Sequence, residues 1–181
     1  MPADTARARL RELADEHYGY FTTRDMRDLG IDHGELWQIV NRGFIERRGH
    51  GVYMFPDHPA GREASFLEAV LLAGPGAYLI DTGALALAGL GLVVPQRIRV
   101  GTHRRVRINL PKRLEVVRTN HDPAEITTLN GVPTVKIRRA ILDARGRVMT
   151  ERLIDAADEA YENGLLNAKD RDAVKEELRR R

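Results

Sequence analysis

Between residues 22 and 43 the apolar positions recur at helical spacing in two short runs, and after Phe44 they alternate. Thr22-Thr23-Arg24-Asp25 opens the first run: Thr22 is placed to accept a backbone N–H and Asp25 to reach back, as in a capping box, and Gly30 closes it. The second run repeats the device. Asp32 is its N-cap, Glu35 follows three residues later, Leu36, Ile39 and Val40 share one buried face, and Gly43 stops it. Residues 44–48 and 51–55 then read as the strands of a hairpin turning at Gly49-His50. Upstream, Leu10, Leu13, Ala14 and His17 give one helical face, which would pack behind the two short helices.

Pro56, Asp57, His58, Pro59 and Gly61 interrupt both periodicities, so the expected division is 1–57 and 62–181. Residues 63–73 have a wide apolar helical face ended by Gly74-Pro75-Gly76. After the short apolar stretch 78–80, Asp81 or Thr82 is placed to cap a small-residue helix over 84–90. From Gln96 the period becomes two. Ile98, Val100, Val106, Ile108 and Leu110 alternate with Arg97, Arg99, Arg105, Arg107 and Asn109, and 114–119 and 125–128 continue in the same style, with turns at Gly101-Thr102-His103 and Asn130-Gly131. This predicts an antiparallel sheet with one basic face. Helical spacing resumes over 136–148 and 150–161, and Asn167 with Asp170 opens a last helix. The expected class is α+β: an N-terminal winged helix-turn-helix and a C-terminal mixed domain with an antiparallel sheet and flanking helices.

Helix, turn, helix and basic hairpin is the order of a winged helix-turn-helix, whose second helix lies in the DNA major groove. With Leu36, Ile39 and Val40 inward, a 100° step per residue turns Gly34, Gln38 and Asn41 outward, flanked by Trp37 and Arg42. Gln and Asn pair bidentately with adenine, so Gln38, Asn41 and Arg42 are the candidate base readers. Arg47, Arg48 and His50 would form a wing along phosphates or the minor groove, and Thr22, Thr23 and Arg24 would hold phosphate at a helix N-terminus. Trp37 is expected to pack against the neighbouring helix rather than stack on a base. A winged helix that docks on protein, or belongs to a nucleic-acid-processing component without an antitoxin role, remains the alternative.

Charge moves part of the expected footprint elsewhere. The formal net charge is +3, but residues 1–57 carry eight Arg against ten Asp and Glu, whereas residues 97–152 carry fourteen Lys and Arg against five acids. Phosphate neutralisation supplies much of DNA affinity, so Arg97, Arg99, Arg105 and Arg107 are candidates to extend the backbone contact. The same face suits a solvated strand surface or an acidic protein equally well. There is no cysteine, which excludes disulfides and thiolate chemistry and suits a reducing cytoplasm. The N-terminus has no apolar core of a signal peptide, and the longest nearly uncharged run is broken by Gly74-Pro75-Gly76 and Asp81, so neither a leader nor a membrane span is expected.

Catalytic motifs are absent. There is no G-x-S-x-G elbow, Walker A loop, H-E-x-x-H helix or complete G-x-G-x-x-G. The six histidines show no paired ligand spacing, and the strands carry arginine where a nuclease centre needs carboxylates. Neither an enzyme, a metal nor another cofactor is expected.

Phe21-Thr22, Gly30-Ile31, Val40-Asn41-Arg42-Gly43, Ile45-Glu46-Arg47 and Gly51-Val52-Tyr53 resemble the N-terminal winged helix of AbiEi-type antitoxins of type IV toxin-antitoxin systems. The run from Asp81 to Leu90, Ile98-Arg99-Val100, Gly131-Val132-Pro133-Thr134-Val135 and Arg139-Ala140-Ile141-Leu142-Asp143 resemble the C-terminal antitoxin domain of the same family. The resemblance spans residues 18–145. It implies a repressor that binds inverted repeats upstream of its own operon and counters a nucleotidyltransferase-like toxin encoded beside it. Some longer relatives append a restriction-nuclease-like domain after the Ile-Leu-Asp block; no nuclease motif stands here, and cleavage is not expected.

Overall fold

Helix α1 (Ala3–Asp15) ends where Tyr18 and Gly19 both turn left-handed, with φ of 53° and 85°. That reversal leads into strand β1 (Tyr20–Thr22), followed by α2 (Thr23–Asp28), α3 (His33–Asn41), β2 (Glu46–Gly49), β3 (Val52–Met54) and α4 (Ala64–Ala73). The chain is described here by a computed structural model covering residues 3–59, 61–106 and 109–180. Its two compact units are 1–72 and 73–181.

In the first unit the sheet order is β1-β3-β2, antiparallel throughout, which with α1, α2 and α3 is the element order of a winged helix. Both expected capping boxes form. Thr22 accepts from the backbone of Arg24 and Asp25 while Asp25 accepts from Thr22 N at 2.7 Å; Asp32 accepts from Glu35 N at 2.8 Å while Glu35 accepts from Asp32 N. Leu10, Phe21, Met26, Leu36, Ile39 and Phe55 are among the largest members of one buried cluster. Each contributes about 1.5–3 kcal/mol by leaving water, so α3 is held by packing of its inner face.

The hairpin differs from its expected form by one residue. The turn is His50-Gly51, and Arg47 faces Tyr53 while Gly49 faces Val52, so Arg48 is the extra residue of a β-bulge. Two close approaches explain this. Gly51 (φ 69°) lies against Thr23, whose N–H donates to Gly51 O at 2.9 Å, and a Cβ on Gly49 would collide with Leu72 Cδ2.

The second unit comprises β4 (Tyr78–Leu79), α5 (Asp81–Ala88), β5 (Ile98–Thr102), β6 (Leu114–Arg118), β7 (Ile126–Leu129), β8 (Val132–Val135), α6 (Ile137–Asp143), α7 (Thr150–Glu162) and α8 (Ala168–Arg179), with a 3-10 turn at Pro123–Glu125. Helix α5 packs on β5 and against α6, and α7 and α8 pack with each other and with α6. The α+β class is as expected.

The sheet, ordered β6-β5-β4-β8-β7, is mixed rather than antiparallel. β5 runs parallel to β6 and β4 to β8, whereas β4–β5 and β7–β8 are antiparallel. A parallel pair needs a crossover, so the chain after Thr102 returns along the sheet instead of turning at Gly101-Thr102-His103. Residues 103–106 accordingly form no strand, and the expected strand positions Arg107 and Ile108 lie outside the described residues. Asn130-Gly131 does form the expected tight turn between β7 and β8, with φ of 47° and 71°. Helix α5 has Ile80 as its N-cap without a side-chain bond, because Asp81 is turned into the unit, where Arg99 holds it.

Candidate nucleic-acid interface

The outward face of α3 is the centre of the candidate site. Leu36 and Ile39 are buried and Val40 is half-buried, while Gly34, Gln38 and Asn41 are exposed, as the 100° rotation per residue requires. Arg42 is the exposed C-cap. Trp37, expected to pack against a neighbouring helix, is instead 66% exposed. The cluster behind α3 is completed by α1, α2 and the strands, and α3 contributes Leu36 and Ile39 to it.

The wing is divided between two roles. Arg47 is exposed, its Nε donating to Gly49 O at 3.2 Å, and His50 is exposed in the turn. Arg48 is drawn back by the bulge. Its Nε lies 2.9 Å from Glu68 Oε1 on α4, and its Nη1 lies 3.4 Å from Glu46. The hydrogen bond from Arg48 to Glu68, followed by that carboxylate's charge, raises the guanidinium pKa further above its ordinary value. Glu68 escaped the sequence reading because it stands on the apolar helix 63–73; a lone acid among apolar neighbours was the available signal.

At the start of α2, internal partners occupy the N–H groups. Thr23 N donates to Gly51 O, while Arg24 N and Asp25 N donate to Thr22 Oγ1. The Thr22 hydroxyl itself donates to Asp25 Oδ2 at 2.7 Å. Arg24 is exposed, 3.7 Å from Asp28. The first turn of α2 is therefore already capped by the Thr22 hydroxyl and the wing's Gly51 carbonyl.

The arginines of the second unit do not share one face. Arg97 and Arg105 are exposed, Arg107 lies outside the described residues, and Arg99 is buried. Along β5 the consecutive residues Arg99 to Thr102 are all buried, so alternation along it does not yield a wet side. Arg99 Nε donates to both Asp81 oxygens at 2.8 and 2.9 Å and Nη1 bonds Glu115. Burial pulls the Arg99 pKa down, and the bonds to Asp81 and Glu115 more than reverse this, leaving it above its ordinary value. A second network went unread in the sequence: Tyr78 OH meets His121 Nδ1 at 3.1 Å, and His121 Nε2 meets Asp143 Oδ2 at 2.9 Å. Arg139 also bonds Asp143 at 2.9 Å. These residues lie up to 65 positions apart, on β4, after β6 and on α6, and no local spacing joins them.

Among the described residues no group of three His, Asp or Glu is placed to hold a metal ion, and no helix is long and apolar enough to cross a membrane. No curated protein matches the chain. Residues 8–56, from α1 to the end of the wing, match the family described as transcriptional regulator, AbiEi antitoxin. The resemblance carried by Phe21-Thr22 through Gly51-Val52-Tyr53 is thus a match to the AbiEi antitoxin transcriptional regulators over the winged-helix segment.

Proposed function

We propose that this chain is a DNA-binding transcriptional regulator that represses its own operon at inverted repeats, with α3 in the major groove and the hairpin as wing. The observation that carries the proposal is the outward row of Gln38 and Asn41 on α3, within the segment that matches a regulator family. Both amides have the donor-acceptor pair that recognises adenine N6 and N7. Arg42 stands at the end of the same helix, and Arg47 and His50 are in position for phosphates or the adjacent minor groove. Thr23 serves the interface by fastening α2 to the wing turn through Gly51, and exposed Arg24, Arg97 and Arg105 add positive charge. Antitoxin action against a nucleotidyltransferase-like toxin belongs in this proposal to the second unit, whose motifs carry the C-terminal part of the resemblance.

The test is binding of the purified chain to its own upstream DNA and to shuffled DNA of equal length, across a salt series. A preference of about a thousandfold or more, the usual gap between specific and non-specific binding, is expected. Equal weak binding to both would overturn the proposal and leave a protein-docking winged helix as the reading.

A further inference from the structure

We infer that Trp37 reads the C5-methyl group of thymine beside the base contacted by Asn41, making the preferred DNA rich in A·T pairs under α3. The inference rests on the proposed DNA-binding reading and adds a specificity determinant to it.

Trp37 is the chain's single tryptophan and is 66% exposed, whereas a side chain of this size normally buries most of its surface. It stands four residues after His33 and four before Asn41, so the three form one ridge along α3, with Gly34 and Gln38 on the adjoining ridge. An apolar ring thus stands one turn before Asn41 and beside Gln38, two amides suited to adenine. The thymine methyl is the only apolar group on the major-groove edge of the bases, and an A·T pair offers it next to the adenine edge that Asn and Gln recognise. The exposed ring and the amide row therefore suit one partner, a run of A·T pairs. Gly34, one turn before Gln38 on the adjoining ridge, adds no side chain between the helix and the groove.

The experiment compares binding of the upstream duplex with the same duplex in which every thymine is replaced by deoxyuridine, which removes only the C5 methyls. Wild type, Trp37→Ala and Trp37→Phe are measured, with shuffled DNA as reference and the emission of the single tryptophan as a second readout. Wild type is expected to lose about fourfold in affinity per methyl covered, the transfer value of one methylene, and its emission to be quenched on binding thymine DNA. Trp37→Ala is expected to bind both duplexes equally, with an unchanged melting temperature because the ring lies outside the core; Trp37→Phe retains part of the difference. Equal binding of both duplexes by wild type that still prefers upstream to shuffled DNA would overturn the inference and leave the DNA-binding reading standing. So would a methyl preference that survives in Trp37→Ala, or a concentration-dependent emission shift without DNA, which would assign the ridge to contact between copies. No preference of upstream over shuffled DNA would overturn both.

Discussion

Arg48 Nε lies 2.9 Å from Glu68 Oε1, joining the bulged strand of the wing to α4 within the first unit. The Glu68 side chain is 4% exposed and that of Arg48 34%. An exposed arginine of the hairpin therefore reaches across to neutralise a buried carboxylate, while its exposed neighbour Arg47 bonds Gly49 O within the wing. Removing one partner of such a pair costs more than the pair's net worth, because the other charge stays buried.

Arg48→Ala is accordingly expected to destabilise the first unit by about 2 kcal/mol, below the full cost of a fully buried pair because Arg48 is partly solvated. Arg47→Ala is expected to stay within about 0.5 kcal/mol of wild type. Urea unfolding measures both. In DNA binding the order reverses: Arg47→Ala is expected to lower the slope of log affinity against log salt by about one, the loss of one phosphate contact, while Arg48→Ala leaves it nearly unchanged. A larger slope change for Arg48→Ala would place that residue at the phosphates.

Helix α3 carries a pH dependence of known sign. Its N-cap carboxylate, Asp32, titrates below the usual carboxylate range, chiefly because the backbone N–H of Glu35 and then that of Gly34 donate to it. A depressed folded pKa means that this stabilisation is complete above the ordinary Asp value and is lost as pH falls through the lower folded value. Asp32→Asn keeps a capping oxygen without the titration. Acid unfolding followed by far-UV circular dichroism is therefore expected to show a shallower decline for Asp32→Asn than for wild type, and Asp32→Ala to be less stable than either at neutral pH.

Arg99 is the pin of the second unit. Its side chain is 8% exposed and bridges Asp81 to Glu115, with Arg147 Nε 3.8 Å from the same Asp81. Arg99→Ala is expected to cost about 3–5 kcal/mol, since it leaves the Asp81 carboxylate buried and largely unpaired. Arg97→Ala and Arg105→Ala, at exposed positions, are expected to change stability by less than about 0.5 kcal/mol. Thermal unfolding of the three variants separates these cases, and equal small effects in all would show that the Asp81 carboxylate finds water or another cation.

Local features were legible along the chain because they depend on neighbours within four residues. The capping boxes of α2 and α3, the inward Leu36 and Ile39, the outward Gln38 and Asn41 and the Asn130-Gly131 turn all follow from backbone chemistry and helical period. The outcome at Trp37 could not be read that way. Its angle on the helix was known, but whether another element covers that angle is a property of packing. The burial of Arg99 is hidden from the sequence for the same reason. Alternation sorts side chains into two faces without saying which is wet, and only the packing shows that Arg99 is buried with Asp81 and Glu115 as partners. Strand direction was likewise undetermined, since a parallel β5–β6 pair and a hairpin can share one alternating pattern until the crossover is seen. The amino-acid sequence by itself determined the capped helices, the hairpin and the chemistry presented along α3. Tertiary structure decided which charges were drawn inward, because burying Glu68 and Asp81 required the nearest reachable cations, Arg48 and Arg99, to follow them.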